Sequence, residues 1–123
     1  MLCVKKLVVI GAMTVAALTV AGEPVSWRAL ELTGHTLTLL DERRVERYRL
    51  AEGGAVLATV GEPHGAMAAP MWHWRFERDM LVIADSPEAT PRETFRLLEV
   101  RGSELRVRRM SGAPASFSLL PGR

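Results

Sequence analysis

The stretch that most constrains the fold covers residues 71–85, MWHWRFERDMLVIAD. Large apolar residues occupy every second position on both sides of a short polar segment: Trp72, Trp74, Phe76, Leu81 and Ile83. A period of two is typical of strands that bury one face. We predict a four-residue loop over residues 77–80, which places Trp74 opposite Ile83 and buries the indole there. The stretch therefore predicts a complete β-hairpin.

The N-terminal segment predicts export. Two lysines precede an uncharged run over residues 7–20, which is followed by the small residues Ala21 and Gly22. This order is typical of a secretory signal peptide. The run is shorter than the roughly 20 residues that cross a bilayer core, although an uncleaved membrane anchor is the alternative. We therefore expect a signal peptide at 1–21 and a periplasmic or secreted domain at 22–123, with no membrane insertion of the mature chain.

Cleavage would change the composition of the chain, because both lysines and the single cysteine, Cys3, lie in the predicted signal peptide. The whole chain has 16 basic and 14 acidic residues, so removing two lysines leaves 14 of each. A balanced chain gives no reason to expect a nucleic-acid partner, which requires a basic face. Since no cysteine remains to form a disulfide, stability must come from packing and sheet hydrogen bonds.

Short alternating segments between turn residues predict further strands along the mature chain. The predicted segments outside the hairpin are residues 25–33, 36–40, 45–50, 55–60 and 115–120. Two prolines and two glycines between Gly61 and Pro70 predict a loop there. Eight or nine short strands indicate an all-β antiparallel meander, closed into a barrel or half-barrel that leaves few exposed edges.

Two sequence rules conflict over residues 90–102. Thr90, Pro91 and Glu93 are typical of a helix N-terminus. Residues 94–100 and 105–110 instead flank a glycine-containing turn, and the second of these segments alternates at period two. Both interpretations stay open, and we favour the hairpin.

The order of these segments resembles a known class of domain. The matching segments are GHTLTLL, a tyrosine strand with a Gly-Gly turn, WRFERDMLVI, FRLLEV, LRVRR and FSLL. Together they resemble the small lipocalin-like (calycin-type) domains of exported bacterial proteins. That resemblance implies a β-barrel or half-barrel and carries over no catalytic residue. The chain is shorter than true lipocalins and lacks their disulfides.

Histidine and methionine side chains suggest the one specific metal chemistry in this sequence. His64, Met67, Met71 and His73 lie within ten residues. Imidazole and thioether groups are copper ligands, and thioethers favour Cu(I). A periplasmic copper-binding protein is therefore the alternative function. The favoured interpretation has no metal or other cofactor, with the methionines filling gaps under a loop.

Arginines gather in two places that could bind phosphate or carboxylate groups. They are Arg43, Arg44, Arg47 and Arg49 in one segment and Arg101, Arg106, Arg108 and Arg109 in the other. Glutamates lie among them at positions 42, 46, 99 and 104. We favour strand faces with paired charges over a ligand-binding patch.

No catalytic motif is present, since the serines lack a glycine-framed elbow and there is no glycine-rich phosphate loop. We therefore predict a binding module that is not an enzyme. Its partner is an envelope protein or a small apolar ligand, bound by the 61–70 loop and the outward face of the hairpin. The candidate binding residues are His64, Met67, Met71, His73 and Arg75.

Overall fold

The computed structural model describes residues 25–121, so the predicted signal peptide lies outside the described residues. Within them are nine strands: β1 (His35–Leu39), β2 (Val45–Leu50), β3 (Ala55–Gly61), β4 (Met67–Ala68), β5 (Met71–Glu77), β6 (Met80–Ala84), β7 (Pro91–Arg101), β8 (Glu104–Arg109) and β9 (Pro114–Pro121). Short 3₁₀ turns occur at Trp27–Ala29 and Glu52–Gly54. None of the described residues form a helix long and apolar enough to cross a membrane.

Eight of the strands form a closed antiparallel barrel, which confirms the predicted fold class. Each long strand pairs with its neighbour in sequence, and β9 returns to pair with β1, with Phe117 opposite Leu39. This last pairing completes the ring and decides between a barrel and a half-barrel. The two-residue strand β4 lies within the predicted 61–70 loop and pairs with the end of β3.

The hairpin β5–β6 has the predicted register, with Trp74 opposite Ile83. Its loop is shorter than predicted, because Glu77 and Met80 pair with each other and leave a two-residue turn at 78–79. Trp74 packs against the core but stays half-buried, so the predicted burial is only partial. The position of its indole is fixed by an N–H bond to the carbonyl of Ala51 at 3.0 Å.

The segment over residues 90–102 is a strand, so the favoured hairpin is confirmed. β7 begins at Pro91 and pairs with β8 through a two-residue turn at 102–103. The helix signals fail because this segment pairs with a strand on each side, and its buried residues Phe95 and Leu97 complete the barrel core. A register shift between Leu97 and Glu99 marks a β-bulge in this long strand.

The predicted strand at 25–33 is wrong, because a 3₁₀ turn occupies Trp27–Ala29. The Ser26 side chain accepts a hydrogen bond from the Arg28 N–H at 3.2 Å, which starts the turn. Trp27 is then buried in the core, and its indole N–H donates to the carbonyl of Phe95 at 2.8 Å. Burial of this large side chain decided the local conformation over the alternation of the segment.

Aromatic and aliphatic side chains fill the barrel interior. The rings of Phe95 and Phe117 meet edge to face with centroids 5.2 Å apart, and Tyr48 lies 5.9 Å from Phe95. The fully buried large apolar residues include Leu37, Leu50, Val56, Leu81, Ile83, Leu105 and Val107. Because these side chains occupy the middle of the barrel, open space is left near its ends.

Candidate functional site at the loop end of the barrel

The longer connections of the meander all lie at one end of the barrel, because alternate connections between antiparallel strands share an end. These connections are residues 40–44, 62–70, 85–90 and 110–113, and we call this the loop end. The opposite end has the tight turns at 78–79 and 102–103, the four-residue connection 51–54 and residues 25–34. Any site formed by several loops is therefore expected at the loop end.

A buried carboxylate lies at this end. Glu46 is the second residue of β2 and faces inward with Tyr48 and Leu50, so only 1% of its surface is exposed. Its Oε1 accepts hydrogen bonds from the Tyr48 hydroxyl at 2.7 Å and from Arg109 Nη2 at 2.8 Å. Its Oε2 accepts from Arg109 Nη1 at 3.1 Å, and Arg44 Nη2 lies 3.1 Å away. Both oxygens of this carboxylate are thus satisfied.

Arg109 joins this carboxylate to a second one. Its Nε donates to Glu93 Oε2 at 2.9 Å, while Glu93 Oε1 accepts from the Met110 backbone N–H at 3.2 Å. The guanidinium also lies 5.5 Å from the centroid of the Phe95 ring. We call Arg44, Glu46, Tyr48, Glu93 and Arg109 the Glu46 network. It links the ends of β2, β7 and β8 across the barrel.

The network changes the protonation of its members. Burial alone would raise the pKa of Glu46, but hydrogen bonds from Arg109 and Tyr48 and nearby positive charge lower it below its usual value. Burial and the neighbouring Glu46 carboxylate raise the pKa of the Tyr48 hydroxyl. Burial opposes the charged form of Arg109, yet Glu46 and Glu93 raise its pKa. Glu46 and Arg109 are therefore ionised and Tyr48 is neutral near pH 7.

Two clefts share the Glu46 network as a common wall. The outer cleft has a volume of about 560 Å³ and lies between the 40–44 and 110–113 connections. The inner cleft has a volume of about 240 Å³ and reaches into the barrel, where Val60, Trp72 and Ile83 line it. Arg92 stands at the edge of the inner cleft with its Cζ 4.5 Å from the Trp72 ring centroid.

The candidate residues His64, Met67 and Met71 lie on or beside the outer surface of the sheet. His64 is exposed in the 62–66 segment, and Met67 is 48% exposed on β4. Met71 is 65% exposed and stands opposite Leu57, which is 42% exposed. We call Leu57, Met67 and Met71 the outer stripe. The structure thus places two candidate methionines, four positions apart, on the same outer side of the sheet.

Gly61 allows the candidate loop to fold back against β3. A Cβ at this position would collide with the Ala66 carbonyl oxygen and lie 2.8 Å from the Met67 Cα, and its φ is +153°. The loop is further fixed by the Glu62 N–H, which donates to the Ala66 carbonyl at 3.1 Å. Met67 is consequently presented on an ordered turn.

The other two candidates, His73 and Arg75, are less available than an outward position suggests. Both are half-buried, and Arg75 donates to the carbonyls of Pro87 and Ala89 at 3.0 Å each. The neighbouring outward residue Val82 is fully buried. The 85–90 connection folds over this side of the hairpin, so Arg75 fixes a loop in place.

The arginine clusters are in part the paired strand faces that we favoured. Arg43 pairs with Asp41 at 3.5 Å, and Arg101 pairs with Glu99 at 2.7 Å. Sequence reasoning missed that Glu46 and Arg109 face inward. The signal was present, since Arg109 is in phase with Leu105 and Val107 on β8. Charged residues usually face solvent, so this phase alone does not predict an inward arginine.

No family model, curated protein or solved structure matches this chain. Within residues 25–121, no three His, Cys, Asp or Glu side chains are grouped so that they could hold a metal ion.

Proposed function

We propose that this protein is an exported, non-enzymatic binding module of the cell envelope that recognises another envelope protein through the outer stripe and the 61–70 loop. The observation that carries this proposal is the exposure of Leu57, Met67 and Met71 on one side of the barrel. The lipocalin-like class that the sequence resembles is part of the proposal and is supported by the closed barrel.

Exposed large apolar side chains cost solubility when they are grouped, so a grouped set indicates an interaction surface. Methionine suits such a surface because its flexible thioether chain adapts to a partner. The sheet beneath the stripe is rigid, and Gly61 fixes the turn that presents Met67. These features favour a protein partner over a large ligand inside the barrel, whose interior is filled by core side chains.

A pull-down from the envelope fraction tests the protein partner. The Leu57→Ser, Met71→Ser double variant should capture at least about tenfold less of the partner, because burying each of these side chains contributes roughly 1.5 to 3 kcal/mol. Met110→Ser is the matched control, since Met110 is a half-exposed methionine outside the stripe. Unchanged capture by a double variant that melts like wild type would remove the outer stripe from the proposal.

Export is tested separately by N-terminal sequencing of the protein recovered from the envelope. We expect a mature chain that begins near Gly22 or Glu23. Among the described residues the barrel core begins at Trp27, so cleavage near Gly22 or Glu23 would leave every described core residue in place. A protein that begins at Met1 and fractionates with membranes would show that the apolar run is an anchor.

Copper binding is the second candidate function, and the placement of two potential ligands favours it. Met71 and His73 stand two positions apart on β5, so their side chains leave the same face of the strand. Titration with Cu(I) should be compared between wild type and a His64→Ala, His73→Ala double variant. Tight binding that the double variant loses would support a copper carrier, whereas no tight binding by wild type would eliminate it.

A further inference from the structure

The inner cleft combines a small volume with walls taken from the barrel interior. Its volume of about 240 Å³ lies below the range of roughly 300 to 1,000 Å³ that is typical of sites for drug-sized ligands. Val60 and Ile83 supply aliphatic surface, while Tyr48 and Trp72 supply rings. A ligand of this cleft must therefore be small and must carry a short apolar or aromatic group.

The charges around the inner cleft favour an anion. Three guanidinium groups and two carboxylates line it, and one of these guanidinium groups, that of Arg92, also pairs with Asp85 beside the cleft. Both carboxylates already bind Arg109, at 2.8 Å from Glu46 and 2.9 Å from Glu93. A cationic ligand would have to displace Arg109 from these two carboxylates, whereas an anion can bind the positive charge of Arg92, whose other partner, Asp85, is exposed.

Arg92 is placed to provide that charge because a β-bulge turns it toward the cleft. Ile83 pairs with Glu93 and Ala84 pairs with Pro91, so Arg92 is the extra residue of the bulge. Its guanidinium stacks on Trp72 with the Cζ 4.5 Å from the ring centroid, and its Nη1 donates to Asp85 at 2.9 Å. A stacked guanidinium presents its remaining N–H groups along its edge, in the geometry that suits a carboxylate.

We propose that the inner cleft binds a small organic monoanion, a carboxylate joined to a short apolar or aromatic group. Arg92 binds the carboxylate, and Trp72, Val60 and Ile83 contact the apolar part. The Glu46 network forms the opposite wall and excludes cations. This site is separate from the outer stripe and does not depend on the protein partner proposed above.

Phenylacetate is a suitable probe because it has one carboxylate and one ring. Binding is followed by two-dimensional NMR of the ¹⁵N-labelled protein, with shifts expected at the Trp72 indole N–H and at the amides around Arg92. The comparison ligands are 2-phenylethanol, 2-phenylethylammonium and acetate, which respectively remove the charge, reverse it and remove the ring. We expect phenylacetate to bind at least about tenfold more tightly than each, since a charge-assisted pair and ring burial both contribute.

The Arg92→Gln variant should weaken phenylacetate binding about tenfold or more, because glutamine cannot supply the charge. Arg96→Gln is the matched control, since Arg96 is an exposed arginine on the same strand, outside the inner cleft. Both variants should melt like wild type. The proposal would be overturned if 2-phenylethylammonium bound as tightly as phenylacetate, or if the two variants weakened phenylacetate binding equally. It would also be overturned if phenylacetate did not bind at about 10 mM, because small ligands of this size reach millimolar affinity in a suitable site.

Discussion

The least usual residue of this protein is Glu46, a carboxylate with 1% of its surface exposed. Burying a charge is unfavourable unless opposite charge and hydrogen bonds compensate it. Here Arg109 provides two hydrogen bonds and Tyr48 provides a third. The Glu46 carboxylate depends on these donors, because without them it would be a buried charge with no compensating partner.

Removing Glu46 should therefore destabilise the barrel strongly. We expect Glu46→Ala to lower the free energy of unfolding by about 3 to 5 kcal/mol, since it leaves Arg109 partly buried with one carboxylate fewer. The control Glu42→Ala removes an exposed glutamate of the adjoining 40–44 connection. It should change the free energy of unfolding by less than about 0.5 kcal/mol. Urea unfolding followed by circular dichroism measures both. A loss below about 1 kcal/mol for Glu46→Ala would mean that the network contributes little.

The lowered pKa of Glu46 makes part of the stability depend on pH. In the unfolded chain this carboxyl titrates at its usual value of 4.5, and in the folded barrel it titrates lower. Its contribution is therefore fully present above pH 4.5 and is lost as the pH falls through the lower folded value. We expect Glu46→Gln to flatten this part of the stability curve when unfolding is measured from pH 7 to pH 3. A variant curve parallel to that of wild type would assign the acid sensitivity to other carboxyl groups.

At the scale of elements, the tight β5–β6 turn holds a strained residue. Arg78 has a φ of +57°, in the left-handed region that costs a side-chain-bearing residue about 1 kcal/mol. Arg78→Gly should therefore raise the free energy of unfolding by about 0.5 kcal/mol, after glycine's larger unfolded-state entropy is counted. Its neighbour Asp79 does not have positive φ. Asp79→Gly is thus the control and should be destabilising, and thermal melts that rank the two variants the other way would contradict this account.

Alternation predicted those elements whose side chains follow it. β2 occupies the predicted residues 45–50, and the β5–β6 register is as predicted, because the inward residues of these strands are apolar except for Glu46. The prediction for residues 25–33 failed because Trp27 is buried by a capped 3₁₀ turn and not by the alternation of a strand.

The Glu46 network could be predicted only in part from sequence. The alternation along each strand puts Glu46 on the same face as Tyr48, and Arg109 on the same face as Val107. Tyr48 and Val107 are both inward residues. That the two meet depends on barrel closure, since they are 63 positions apart in the chain. The position of Arg92 depends on a bulge beside Pro91, and a proline at the start of a strand does not show which way the next side chain points.

At the scale of the whole molecule, closure of the barrel joins its first and last strands. β9 pairs with β8 on one side and with β1 on the other, so it is the only described strand that bridges the beginning and the end of the barrel. It also provides Phe117, which is fully buried against Phe95 and Tyr48. The loss of β9 would expose two sheet edges and remove a central core ring at once.

A chain that ends at Ala113 should consequently have no cooperative thermal transition. Deleting a core aromatic alone costs about 3 to 5 kcal/mol, which is comparable with the 5 to 15 kcal/mol of total stability that small domains have. The truncation adds the loss of both β9 ladders to that cost. A chain that ends at Pro121 is the control and should melt like the full-length protein, because it keeps every described strand. Circular dichroism melts and the dispersion of NMR chemical shifts distinguish the two chains. Cooperative melting of the shorter chain within a few degrees of the control would show that the barrel is stable without closure.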